Sequence, residues 1–227
     1  MNVKDLNVLY EDNHIIVVVK PVNVLSQADS THDKDLLTIV KEYIKVKYNK
    51  PGNVYLGLVH RLDRPVGGVM VFARSSKAAS RLTDMIKVHD FSKSYVAVVN
   101  GLFDKKEGTF EDYLLKCDDG NSRVVSKNEG KKATLNYKVI EEDKENNLSL
   151  VDIELLTGRH HQIRVQFASR NHPLYGDQRY GKCDNKQIAL WAYKLSFVHP
   201  IKKEIMTFSC LPNQKDIWQK FNLNLLK

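Results

Sequence analysis
Along this chain, apolar residues recur mostly at the two-residue period of a strand, and in a few places at the spacing of a helix. Residues 15–19, all Ile or Val, read as a buried strand closed by Lys20-Pro21, because proline lacks the N–H that continues pairing. Residues 35–47 set Leu36, Ile39, Val40, Tyr43 and Ile44 along one helical stripe. Strands are predicted at 55–59 and 69–73, with a loop dense in charge and glycine between them. Ser75 or Ser76 caps a second helix that carries Ala79, Leu82 and Ile86 on one face. A strand at 93–99 ends at Asn100-Gly101. The clearest alternation follows: Ala133, Leu135, Tyr137 and Val139 face one way, and Val151, Ile153 and Leu155 answer them across the polar turn 141–147. Gly158 ends that strand, residues 161–169 read as a short helix with Ile163 and Phe167 inward, and 188–192 as an apolar strand. The first core strand begins by about Val8, and a last helix lies near 215–221.

Strands outnumber helices, and neighbours look joined by hairpins. The predicted class is α+β, a mainly antiparallel or mixed sheet core with flanking helices and loops. Residues 104–132, where charge and glycine thicken, read as an elaborated loop with short strands and as a weak boundary. Otherwise 227 residues fit a single domain. Hydrophobic residues at 42% and charged residues at 27% exclude a disordered or collagen-like chain. No apolar run is long enough for a membrane helix, and the first six residues lack the apolar stretch of a secretory signal. Cys117, Cys183 and Cys210 are far apart and show no C-x-x-C spacing, which fits a reducing cytoplasm. The formal charge of +8 suits either a polyanionic partner or a merely basic, soluble surface.

Three segments could carry chemistry. In His60-Arg61-Leu62-Asp63-Arg64 one carboxylate sits between two guanidiniums, which favour its ionised form. Such a group can act as nucleophile, base or electrostatic stabiliser, although a salt-bridged loop uses the same residues. In Thr157-Gly158-Arg159-His160-His161-Gln162-Ile163-Arg164 a glycine opening a helix leaves N–H groups that suit a phosphate, with Arg159, His161 and Gln162 adding donors. Arg164 could grip a carboxylate bidentately. A capped helix with solvated basic residues is the plainer reading, and a metal site on His160, His161 and His172 lacks a carboxylate at ligand spacing. In the strand from Lys93, Tyr95 could stack on a base and Lys93 could hold a phosphate, though strand tyrosines commonly just pack. The turn 173–181, with its spaced glycines, reads as structural, and Leu190 could wall a pocket.

Taken together and in this order, these segments resemble the RluA-type family of RNA pseudouridine synthases. The matching landmarks are Lys20-Pro21, the H-R-L-D loop followed by Gly67-Gly68, the K-x-Y strand, G-R-x-H-Q-I-R, the G-D-x-x-Y-G turn and the segment from Phe197 to Pro200. The resemblance runs from about Tyr10 to Phe208. It implies one pseudouridine synthase catalytic domain over residues 1–227, with no separate N-terminal RNA-binding module. It further implies Asp63 as catalytic aspartate, Arg164 as its partner, Tyr95 at the target base, Arg61 on the RNA and Leu190 as an apolar wall. Arg64, Lys93, Arg159, His161 and Gln162 complete the expected RNA contacts. Three positions depart from the family pattern: His160 stands for a threonine, Gln166 for a histidine and Trp191 for a histidine.

The reaction so implied is an isomerisation: the C1′–N1 bond of a uridine breaks, the uracil turns, and C5 joins C1′. It calls for no cofactor. Asp63 would either attack C1′ or remove the C2′ proton, and both routes stay open. The expected partner is a structured ribosomal or transfer RNA stem-loop whose target base is flipped out of the stack. A monomer in the cytoplasm is the accompanying expectation. Two other functions use the same residues: an RNA chaperone or assembly factor with incidental catalysis, and a glycosidase. The glycosidase would need a second carboxylate, which no motif here supplies.

Overall fold
The computed structural model describes residues 3–226. In chain order the elements are β1 (Asn7–Glu11), β2 (Ile15–Lys20), α1 (Leu36–Lys47), β3 (Gly57–Leu58), β4 (Gly67–Ala73), α2 (Ser76–Lys87), β5 (Phe91–Asn100), β6 (Glu107–Lys116), β7 (Ser122–Val125), β8 (Lys131–Asp143), β9 (Leu148–Leu155), α3 (Gln162–Ala168), β10 (Leu190–Val198) and β11 (Ile205–Ser209). Short 3-10 turns occupy Val3–Asp5, Asp216–Lys220 and Leu223–Leu226. The class is α+β, as expected. The chain divides into two compact units, one running to Phe91 with Tyr193–Cys210 added, the other Ser92–Ala192 with the residues from Leu211 onward. No described helix is long and apolar enough to cross a membrane.

In the first unit every residue of β2 is buried, as a β-branched run demands when both its faces are covered. Strand β2 pairs antiparallel with β1 on one side and β4 on the other. Ile15, Val17, Val69, Val71 and Ala73 share one face, and Ala78 and Leu82 of α2 pack on it. Helix α1 is capped by Asp35, whose carboxylate accepts from Thr38 N at 3.0 Å, and α2 by Ser75, whose hydroxyl accepts from Ala78 N at 3.2 Å. Two expectations shift here. The strand foreseen at 55–59 shrinks to Gly57–Leu58, and Gly67-Gly68 join β4 rather than the loop, because Gly68 pairs with Lys20 in the ladder.

In the second unit, β5, β9, β8, β6 and β7 pair in that order, all antiparallel. The loop with short strands expected at 104–132 is mostly sheet: Ser122–Val125 is a short strand as expected, but it folds back on Glu107–Lys116, a full ten-residue strand on β8. Helix α3 has only seven residues, six of them buried. So short a helix is marginal by itself, and packing sustains it. Its Val165 joins Leu114 and Ala133, while Phe167 meets Phe110 edge-on at 5.1 Å between ring centroids.

Candidate active site
In the first unit, buried side chains at the end of β2 and in the segment after it hold the backbone on both sides of Asp63. Ser26 Oγ donates to Leu62 O at 2.7 Å and accepts from Leu62 N at 3.1 Å. Lys20, fully buried at the end of β2, donates through Nζ to Arg64 O at 3.0 Å and Pro21 O at 3.1 Å. Val66 N donates to the carbonyl of Asp63 itself at 3.0 Å, closing a turn. Burial pushes the Lys20 ammonium down to about 7; the charge of Asp63 works against that shift and Arg64 adds to it. The Asp63 side chain is half-buried and Arg61 is exposed. Arg64 pairs with Asp33 at 2.7 Å, where both side chains are about half in water. His60 turns inward: its Nε2 accepts from Val71 N at 3.1 Å, and its ring lies 5.5 Å from Phe91.

In the second unit the centre is Arg164. The bidentate grip foreseen for it is made on Asp177, with Nε donating to Oδ2 at 2.8 Å and Nη2 to Oδ1 at 2.7 Å. Both side chains are out of water, at 5% and 0% exposure. Burial by itself would raise the Asp177 carboxyl, but the guanidinium and the N–H groups of Arg179 and Tyr180 hold it below the usual carboxylate range. The guanidinium also lies over the Tyr180 ring, 5.2 Å from its centroid. The turn read only as structural therefore supplies the counter-ion. Gly176 is required there: its φ is +71°, and a β-carbon would stand 2.3 Å from Gln187 O.

The approach to α3 differs from expectation. The helix opens at Gln162, not at Gly158, and His161 precedes it in the left-handed region, with φ 53°. Gln162 is 3% exposed. Its Oε1 accepts from Arg159 N at 3.0 Å and Thr157 Oγ1 at 2.8 Å, and its Nε2 donates to Thr134 O and Gln166 Oε1. Gln162, foreseen as an RNA donor, braces the turn through both ends of its amide, and the N–H groups of Arg159 and Gln162 are taken up within the turn. The adjacent histidines do not diverge as on a helix: their rings stack at 3.8 Å. Arg159 is exposed, its Nε donating to Lys132 O at 2.8 Å.

Tyr95 lies inside β5, 7% exposed and opposite Ile153. Lys93, two residues before it, is half-buried, and burial lowers its pKa. A β-carbon on Gly158 would lie 3.5 Å from Lys93 Nζ, so the K-x-Y strand and the G-R-x-H-Q turn adjoin. Leu190 is buried as the first residue of β10. Gln166 is fully buried and donates to Asp112 Oδ2 at 2.7 Å. Lys20, Ser26 and Asp177 escaped notice as site residues; the only sequence signals were a lysine prolonging an apolar strand and an aspartate between spaced glycines.

Residues 14–169 match the family described as RNA pseudouridylate synthase. An uncharacterised RNA pseudouridine synthase of Bacillus subtilis strain 168 is 34% identical over 206 residues, 89% of this chain and 67% of that protein. The dual-specificity RNA pseudouridine synthase RluA of Haemophilus ducreyi is 32% identical over 215 residues, covering 91% and 93% of the two chains. The ribosomal large subunit pseudouridine synthase D of Borreliella burgdorferi is 33% identical over 83% of this chain and 60% of its own. In fold, the human RNA pseudouridylate synthase domain containing 4 aligns with a TM-score of 0.76 at 21% identity, over 91% of this chain and 89% of that one. With its family match covering well over half the sequence, this chain belongs to the RNA pseudouridylate synthase family.

Proposed function
We propose that the chain isomerises specific uridines of structured ribosomal or transfer RNA to pseudouridine, with Asp63 as the catalytic carboxylate. The observation that carries this reading is the clamped loop. Leu62 and Arg64, on either side of Asp63, are held by buried Ser26 and Lys20, while the carboxylate itself is half-buried. A charge meant to stabilise or capture C1′ as the C1′–N1 bond breaks must be held in place beforehand, which is what such a clamp does. Attack at C1′ and removal of the C2′ proton are both open to it. Arg164, braced by Asp177, is in this reading the cation that orients the catalytic carboxylate. Tyr95 packs at the target base and accepts the proton that C5 loses when C5–C1′ forms. Leu190 keeps water from the detached uracil.

Arg61, Arg64, Lys93, Arg159 and His161 contact the RNA in this reading, and their phosphate contacts offset the few kcal/mol needed to flip the base. The whole chain acts as one catalytic domain, a monomer in the cytoplasm. RNA labelled with tritium at C5 of uridine tests the reaction, because C5–C1′ bond formation expels that hydrogen. Wild-type protein should release tritium into water from total RNA, and Asp63→Asn should not. Equal release by both, or none by either, counts against the assignment.

A further inference from the structure
Outside the residues given catalytic work, one closed ring of polar and aromatic contacts remains in the second unit. It joins the β6–β7 hairpin, the turn before α3 and the G-D-x-x-Y-G turn. Ser122 Oγ, at the start of β7, lies 2.9 Å from His160 Nδ1. The His160 ring stacks on His161 at 3.8 Å, and His161 Nδ1 lies 2.8 Å from the Tyr180 hydroxyl. That hydroxyl accepts from Ser122 N at 2.7 Å, which closes the ring. Arg179 adds a second tie, its Nη1 donating to Gly120 O at 3.2 Å and Asn121 Oδ1 at 3.1 Å. The hairpin tip is therefore held by side chains from two different turns.

The ring includes His160, one of the three positions where the sequence departs from the motif pattern that the resemblance implies. A threonine carries its hydroxyl one bond from Cβ, whereas the imidazole Nδ1 is two bonds out and brings a ring face for stacking. The hairpin itself is a poor anchor without help. Strand β7 is four residues long at the end of its ladder, with Arg123 exposed on it. Arg159 and Arg179, on the two turns that grip the hairpin, are exposed as well.

We propose that His160 is a positioning residue for RNA: it fastens the β6–β7 hairpin to the turn before α3, so that Arg123, Arg159 and Arg179 meet the RNA backbone as one rigid basic surface. The proposal rests on RNA being the substrate. Fixing three long cations beforehand lowers the ordering cost of binding, so the effect falls on affinity and not on the chemical step.

The test uses the full-length protein and a fluorescein-labelled RNA stem-loop, with His160→Ala, His160→Asn and Ser122→Ala. Loss of one such hydrogen bond should raise Kd and KM roughly three- to tenfold while kcat stays within about twofold. His160→Asn, which keeps a polar atom near the Nδ1 position, should recover most of the affinity. Amide exchange across residues 117–125 should quicken in His160→Ala and Ser122→Ala. The two alanine substitutions combined should weaken binding no further than either alone. A His160→Ala protein that binds RNA like wild type, or loses kcat and KM together without faster exchange in the hairpin, overturns the proposal while leaving the synthase reading intact. Wild-type protein that neither binds RNA nor forms pseudouridine overturns both.

Discussion

Arg164 and Asp177 form a two-bond pair, Nε to Oδ2 at 2.8 Å and Nη2 to Oδ1 at 2.7 Å, with both side chains buried. Desolvating two charges is costly, so the pair adds less net stability than its geometry suggests, but removing one partner takes away the opposite charge that offsets the burial of the other. Asp177→Ala should therefore cost about 3–5 kcal/mol in urea unfolding. Lys34→Ala breaks the half-exposed pair with Glu42 and should cost much less. Similar losses for the two variants would mean that burial does not set the cost of breaking the Arg164–Asp177 pair.

Acid should weaken the fold in two stages. His199 is fully buried; its Nδ1 accepts from Ile201 N and Lys202 N, so Nε2 carries the proton shared with Asp12 at 3.0 Å. Burial lowers its pKa, with Asp12 opposing the shift. A base whose folded pKa is depressed stabilises the protein above its unfolded value, about 6.5, and that contribution fades as pH falls below it. Asp12, where burial is outweighed by the N–H groups of His14 and Ile15 and by Tyr10, is held at about 2, and Asp177 is also lowered. Their contributions are full above about 3.9 and are lost below it. Urea midpoints measured from pH 7.5 down to 3 should fall through both ranges. His199→Gln should flatten the first fall and leave the second.

Ser26→Ala separates the clamp from the chemistry. It leaves both polar groups of Leu62 without their buried partner, at about 1–3 kcal/mol. With the backbone beside Asp63 loosened, kcat should drop by roughly tenfold while KM changes little. A rise in KM with unchanged kcat would show that the loop binds substrate and does not aim the carboxylate.

Salt dependence distinguishes phosphate contacts from packing. If Arg61 meets a phosphate, Arg61→Ala should weaken RNA binding and reduce the slope of log K against log salt by roughly 0.7–1. An unchanged slope removes Arg61 from the interface.

Much of the fold is legible in the pattern of residues, and where it is not, the reasons are physical. Strands β2, β8 and β9 announce themselves because β-branched or alternating residues face a core. Strand β6 hides because Phe110 and Leu114 are its only buried residues and lie four apart, so a mostly exposed strand looks like a charged loop. Helix α3 is read from Ile163 and Phe167, but the burial of Gln162, Arg164 and Gln166 beside them is not, because polar residues in a helix ordinarily face water. Asp63, Tyr95 and Arg164 are nameable from motifs, since local order carries them. The Asp177 counter-ion and the Lys20 and Ser26 clamp depend on contacts between residues 13, 44 and 36 positions apart, which no local pattern records.

The central claim is that the Asp63 carboxylate makes pseudouridine in RNA. Mapping pseudouridine across total RNA from cells lacking this gene, complemented with wild type or with Asp63→Asn, tests it most directly. The account predicts at least one uridine modified with wild type and unmodified with Asp63→Asn, although the variant still binds RNA. Restoration of the same position by Asp63→Asn would contradict it.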